Sequence, residues 1–130
     1  MSVNPSEKME RKAILVVDDH DAVRESLCDI LSLRGYIVRS VSNGLDALSE
    51  CDANLYDLVI VDIRMPGING VESIRQIQDL LDYKPYFIAM SAYAVDVLRE
   101  EADRLGVIEF FSKPLEISKL IQAIEKILTR

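Results

Sequence analysis

Five short apolar runs punctuate the chain: Ala13 to Val17, Tyr36 to Val41, Leu58 to Val61, Tyr86 to Met90 and Val107 to Phe111. Each has the length of a strand, and between them the apolar positions take helical spacing. Val23, Leu27, Ile30 and Leu31 share one face, as do Val71, Ile74 and Leu81, with the polar Gln78 among them. The last segment is the most regular: Ile117, Leu120, Ile121, Ile124 and Leu128 recur at helical intervals. Gly35 and Gly106 follow the first and fourth predicted helices, where a C-terminal glycine is expected.

Strands alternating with helices predict right-handed crossovers, one mostly parallel, doubly wound sheet, and helices on both of its faces. The Ala13 and Leu58 strands are apolar throughout, as strands covered on both sides must be. The run from Tyr36 carries Arg39 and Ser40 and suits an edge. The pattern is compatible with the strand order 2-1-3-4-5 without selecting it. There is no internal repeat, low-complexity tract or inter-domain linker. The expected organisation is one domain over residues 12–130 behind a loose, polar tail over residues 1–11.

At 130 residues the chain suits a single core. Its net charge of −7, from 22 acidic and 15 basic residues, gives no basis for nucleic-acid binding, which needs clustered Lys and Arg. The first dozen residues lack the apolar stretch of a secretory signal, and no run is long enough to span a bilayer. A cytoplasmic protein without membrane contact is expected. Cys28 and Cys51 lie in apolar, helical stretches without partners at metal spacing, so reduced thiols are the natural reading and a disulfide has little claim.

The chemistry gathers at the ends of the apolar runs. The first ends in Asp18-Asp19, the third in Asp62, the fourth in Ser91, and the fifth in Lys113 after Phe111-Ser112. In an open parallel sheet these ends share one edge, and ligands bind there at the switch point of the strand order. Three carboxylates brought together repel, so a cation must share their site. Mg²⁺ suits it best, needing only one or two carboxylates besides water and phosphate oxygens. Lys113 adds a point charge for a phosphate oxygen, and the Ser91 hydroxyl can donate to another. An aspartate nucleophile helped by a cation and an ammonium describes formation of an aspartyl phosphate.

Taken singly, each residue has a plainer role. Asp18-Asp19 fit an N-cap and first-turn acids, Asp62 a turn aspartate, Ser91 a helix cap, and Lys113-Pro114 a solvated charge before a helix. Phe110 is core by default. His20, Arg24 and Arg34 are expected to be surface residues without a role at the site. One reactive group per strand end is what these separate readings do not predict.

The ordered set resembles the receiver domain of bacterial-type response regulators, over Lys12 to Arg130. The matching pieces are Val16-Val17-Asp18-Asp19, Val61-Asp62-Ile63-Arg64-Met65-Pro66-Gly67 with Gly70, Ser91-Ala92, and Phe110-Phe111-Ser112-Lys113-Pro114. The resemblance implies a flavodoxin-like fold of order 2-1-3-4-5 with five helices, and a role in two-component signalling. It implies that Asp62 accepts a phosphoryl group from a histidine kinase or phosphotransfer protein. Asp19, Asp62 and the Arg64 main-chain carbonyl would hold Mg²⁺, with Asp18 acting mainly through water. Lys113 would bind the phosphoryl group and precede a cis peptide to Pro114, and Ala92 would leave room for the donor. Ser91 would move toward the phosphoryl oxygens and Phe110 would turn inward, altering a surface made by the fourth helix, fifth strand and fifth helix for a downstream protein. Arg64 and Tyr93 occupy positions where such domains tune the lifetime of the phosphorylated state. The implied chain is a phosphoacceptor rather than an enzyme, although it takes part in its own phosphorylation and dephosphorylation.

The chain departs from the family pattern mildly at Ser91, commonly threonine, and at Phe110, commonly tyrosine, which removes a phenolic oxygen from partner docking. A flavin-binding relative of the fold would need a Ser/Thr/Gly-rich loop where Asp18-Asp19-His20-Asp21 stands. A haloacid-dehalogenase-type phosphatase would need an aspartate at Arg64. A receiver-like module that is never phosphorylated would not need the full set of Asp18, Asp19, Asp62, Ser91 and Lys113. A receiver cut from a longer regulator or hybrid kinase has the same sequence signature as a single-domain one.

Overall fold

The described residues alternate strand and helix: β1 (Ala13–Val17), α1 (Asp21–Leu33), β2 (Ile37–Val41), α2 (Gly44–Ala53), β3 (Leu58–Asp62), α3 (Gly70–Leu80), β4 (Tyr86–Ser91), α4 (Arg99–Arg104), β5 (Glu109–Ser112) and α5 (Ile117–Leu128). The structure is a computed structural model that describes residues 11–93 and 97–129. The tail expected over residues 1–11 therefore lies outside the described residues except for Arg11, whose Nε donates to the Gly35 carbonyl at 3.2 Å.

All five strands pair in parallel in the order β2-β1-β3-β4-β5. Side chains alternate across each strand, so β1 sends Ile14 and Val16 to one face and Leu15 and Val17 to the other. The first face packs with β3 residues Leu58 and Ile60 against Leu27 and Leu31 of α1 and Leu120 and Ile124 of α5. The second packs with Val59 and Val61 against Ala47 and Cys51 of α2 and Ile74 and Ile77 of α3. Burial on both sides explains why β1 and β3 read as unbroken apolar runs. β2, at the edge, is only partly buried.

The predicted boundaries shift where backbone hydrogen bonds decide them. β3 and β4 each run one residue further, to Asp62 and Ser91, because Asp62 pairs with Met90 and Ser91 with Ser112. β5 starts at Glu109 rather than Val107, since the Val107 amide closes the turn after α4 by donating to the Ala102 carbonyl. Gly35 and Gly106 take φ of 94° and 91° past the ends of α1 and α4, the left-handed geometry their positions suggest. Gln78, the polar residue on the inward face of α3, donates to the Leu105 carbonyl at 2.7 Å and so satisfies an orphan group at the end of α4. Gly70 lets the start of α3 rest on the end of β3: a Cβ there would lie 2.4 Å from the Asp62 carbonyl oxygen. Cys28 and Cys51 are free thiols, and no helix among the described residues is long and apolar enough to cross a membrane.

Candidate functional site

Strand register assembles the site. Val17 of β1 lies beside Val61 of β3, so the residues that follow, Asp18 and Asp62, emerge together at the carboxyl edge. The Asp18 amide donates to the Val41 carbonyl of β2, which anchors the acidic loop to the sheet. On the other side, the Lys113 amide donates to the Ser91 carbonyl at 2.7 Å, continuing the β4–β5 pairing past Ser112. The Lys113–Pro114 peptide is cis, as the resemblance implies.

Lys113 is the hub. Its Nζ donates to Asp18 Oδ2 at 2.6 Å and to Asp62 Oδ2 at 3.0 Å, with the lysine side chain 12% exposed and both carboxylates buried. The Arg64 amide donates to Asp62 Oδ1 at 3.1 Å, fixing the carboxylate plane. Burial is the largest influence on Asp62 and pushes its carboxyl up. The Lys113 contacts pull it down, the Asp18 charge pushes it up and the Arg64 amide pulls it down, with a net direction upward. Burial alone would lower the Lys113 ammonium, but its hydrogen bonds to Asp18 and Asp62 and their charges hold it above its ordinary value.

One ammonium does not neutralise three carboxylates, and the donor set shows where further charge belongs. Asp19 Oδ1 is buried without a hydrogen-bond partner, an arrangement that is costly for a carboxylate unless a cation joins it. Ligand atoms of Asp18, Asp19, Asp62 and His20 all lie within 4.8 Å of one another. Carboxylate oxygens gathered at the carboxyl edge of the sheet fit a hard divalent ion such as Mg²⁺.

The other predicted residues ring this centre. Ser91 is buried, and its Oγ accepts from the Tyr93 amide at 3.1 Å. Arg64, Ala92 and Tyr93 are exposed, with the Arg64 guanidinium 5.6 Å from the centroid of the Tyr93 ring. Ala92 and Lys113 also line a largely apolar groove of about 520 Å³ with Val23 and Leu27 of α1, Pro114 and Ile117. Phe110 is not a fully buried core residue: it is half-buried against the Ile63, Val71, Ala89 and Ala102 cluster, and the Arg99 guanidinium lies 4.8 Å from its ring centroid.

Two residues taken for plain surface positions belong to the site. His20 is 60% exposed, but its Nδ1 lies 2.8 Å from Asp18 Oδ1 and 3.3 Å from Asp19 Oδ1. Arg24 is half-buried and donates to the Asp18 carbonyl at 2.7 Å while pairing with Asp21. Adjacency to the acidic pair was the available signal for His20; for Arg24 it was a position one helical turn beyond Asp21. Arg34 is an exposed helix charge, as expected, and pairs with Glu125.

Comparison with known proteins agrees with this geometry. The family profile described as response regulator receiver domain matches residues 14–125. Sporulation initiation phosphotransferase F of Bacillus subtilis is 32% identical over 120 residues, spanning 92% of this chain and 96% of that protein. Chemotaxis protein CheY of Thermotoga maritima is 32% identical over 117 residues, spanning 89% of this chain and 97% of the relative. Among solved structures, response regulator protein TrrA of Thermotoga maritima, in complex with Mg²⁺-BeF, superposes with a TM-score of 0.78 at 34% identity, covering 89% of this chain and 98% of TrrA. With its sheet order, its strand-end residues and these relatives in agreement, the chain belongs to the response regulator receiver domain family.

Proposed function

We propose that this chain accepts a phosphoryl group on Asp62 from a histidine kinase or phosphotransfer protein and signals through a change in its α4–β5–α5 surface. The observation that carries this is the bridge from Lys113 Nζ to both Asp18 and Asp62 beside an Asp19 oxygen buried without a hydrogen-bond partner. The phosphotransferase assignment of the Bacillus relative and the Mg²⁺-BeF complex of TrrA support the same reading.

In the transfer, an Asp62 carboxylate oxygen attacks phosphorus. The new P–O bond forms as the P–N bond to the donor imidazole breaks, and that bonding pair returns to the imidazole. Lys113 moves from the carboxylates to a phosphoryl oxygen, a charge-assisted contact it can make without losing its proton. The Ser91 hydroxyl donates to a second oxygen, and the half-buried Phe110 follows it inward. Asp19, Asp62 and the Arg64 main-chain carbonyl would hold Mg²⁺, with Asp18 acting through water, and the bound ion would supply charge neutralisation at the phosphoryl oxygens. The donor enters past Ala92, and the adjoining apolar groove between α1 and Pro114 gives it a surface to rest on. On this reading the chain is a phosphoacceptor that assists its own chemistry and turns over no separate substrate.

Intact mass of wild type and Asp62→Asn after incubation with acetyl phosphate and Mg²⁺ tests the proposal. Wild type gains one phosphoryl group and the variant gains none. An equal gain in both places the acceptor elsewhere, and no gain in either favours an interaction module that is not phosphorylated.

A further inference from the structure

We infer that His20 is a nitrogen ligand to the cation site, making it a site for Zn²⁺ and chemically similar transition ions as well as for Mg²⁺. The inference rests on the cation site proposed above and goes beyond it by adding a ligand and an ion class.

The geometry is that of a shared coordination sphere rather than of a single hydrogen bond. His20 Nδ1 lies 2.8 Å from Asp18 Oδ1, 3.3 Å from Asp19 Oδ1 and 3.9 Å from Asp62 Oδ2. Ligands about 2.0–2.2 Å from a tetrahedral Zn²⁺ stand roughly 3.3–3.6 Å from one another. The three separations straddle that spacing, so small side-chain rotations bring one imidazole nitrogen and three carboxylate oxygens onto one ion.

The backbone holds the ring there. His20 is the residue before α1, in extended conformation, and its amide donates to Asp18 Oδ1 at 2.9 Å. That bond fixes the point from which the side chain leaves the loop. Asp19 Oδ1, buried without a hydrogen-bond partner, is the oxygen such an ion would satisfy. Lys113 Nζ stands 3.4 Å from His20 Nδ1, within hydrogen-bonding distance of it as of Asp18 and Asp62, so an ion taking His20 as a ligand would displace the ammonium from the ring.

Ligand chemistry then sets the preference. Mg²⁺ takes oxygen ligands and keeps its waters, so it has little use for the imidazole. Zn²⁺ and its first-row neighbours favour imidazole nitrogen, and an N/O₃ set closes a four-coordinate sphere. The same acids therefore serve two ion classes, with His20 engaged by only one of them.

The chain contains one histidine, so its imidazole signals are unambiguous. Long-range ¹H–¹⁵N spectra of full-length wild type with Zn²⁺ or Mg²⁺ should show Nδ1 shifted by Zn²⁺ alone. Calorimetric titration should show His20→Ala losing at least tenfold in Zn²⁺ affinity while Mg²⁺ affinity stays within about twofold, and Asp19→Ala losing both. An unmoved Nδ1 with Zn²⁺ bound, or unchanged Zn²⁺ affinity in His20→Ala, overturns the inference and leaves the Mg²⁺ site standing. Equal gains for both ions in His20→Ala would show the ring competing with the metal, and would overturn it too. Zn²⁺ binding without any Mg²⁺ binding would uphold the inference and count against the Mg²⁺ reading of the proposed function.

Discussion

The Arg64 guanidinium lies over the Tyr93 ring, 5.6 Å from its centroid, so the residues two places beyond Asp62 and Ser91 form one lid rather than two separate fringes. Tyr93 remains 58% exposed, so the pair lies at the surface. On the proposed function, water that hydrolyses the aspartyl phosphate would approach in line with the breaking bond, past this pair. The expected outcome is faster decay of phosphorylated protein in Arg64→Asn and in Tyr93→Ala. Because each side chain steadies the other, either change alone should give most of the effect of the double variant. A tenfold rate change corresponds to a barrier difference of about 1.4 kcal/mol, so partial opening is measurable by timed intact mass. Equal decay in all four proteins would remove the lid from the account.

Lys113→Ala should affect the free protein as well as signalling. Its ammonium donates hydrogen bonds to both Asp18 and Asp62. Removing it leaves buried carboxylates facing one another, which costs on the order of 3 kcal/mol where a buried pair is broken. Urea unfolding without divalent ions should show a marked loss, and added Mg²⁺ should recover part of it by supplying the missing charge. Some phosphorylation should persist with Mg²⁺, but NMR shifts in α4 and α5 on phosphorylation should be weak, since nothing would tie β5 to the phosphoryl group. A full wild-type response would sink the coupling role.

Away from the site, Tyr56 donates its hydroxyl to Glu50 Oε1 at 2.6 Å, and the residue is buried. Burial, then the Glu50 hydrogen bond, pushes the phenol well above its ordinary value. The folded state thus holds this proton more tightly than the unfolded state does. Its contribution is fully present below about pH 10, the unfolded value, and is lost as pH rises toward the folded one. Tyr56→Phe should cost about 1.5–3 kcal/mol at neutral pH, as for a hydrogen bond to a charged group. The variant's unfolding free energy should also fall less steeply than wild type's above pH 10. Parallel pH profiles would contradict the assignment.

The sheet and the reactive strand ends were legible because both depend on sequence period. An apolar run followed by a polar group is visible in the chain, and parallel register then brings Asp18, Asp62, Ser91 and Lys113 to one edge without further information. His20 and Arg24 were not legible, since their place depends on the reach of one side chain across a loop. A histidine opening a helix and an arginine one turn later look the same whether they face water or fold back onto the preceding acids. The start of β5 was missed for a similar reason: Val107 has the composition of a strand, but its amide is taken by Ala102. The Arg99 guanidinium over the Phe110 ring is likewise a contact between residues on different elements that no periodicity encodes.

Arg24 ties the acidic loop to α1 through the Asp18 carbonyl, and that bond makes the two regions thermodynamic partners. A protein that grips α1 and draws Arg24 away would loosen the backbone from which two of the acidic side chains project, and would weaken cation binding by some factor. Linkage is reciprocal, so an ion that settles among those acids must change the affinity for that protein by the same factor. On the proposed function, the arginine would thus make the ionic composition of the medium a term in partner choice, before any phosphoryl group is transferred.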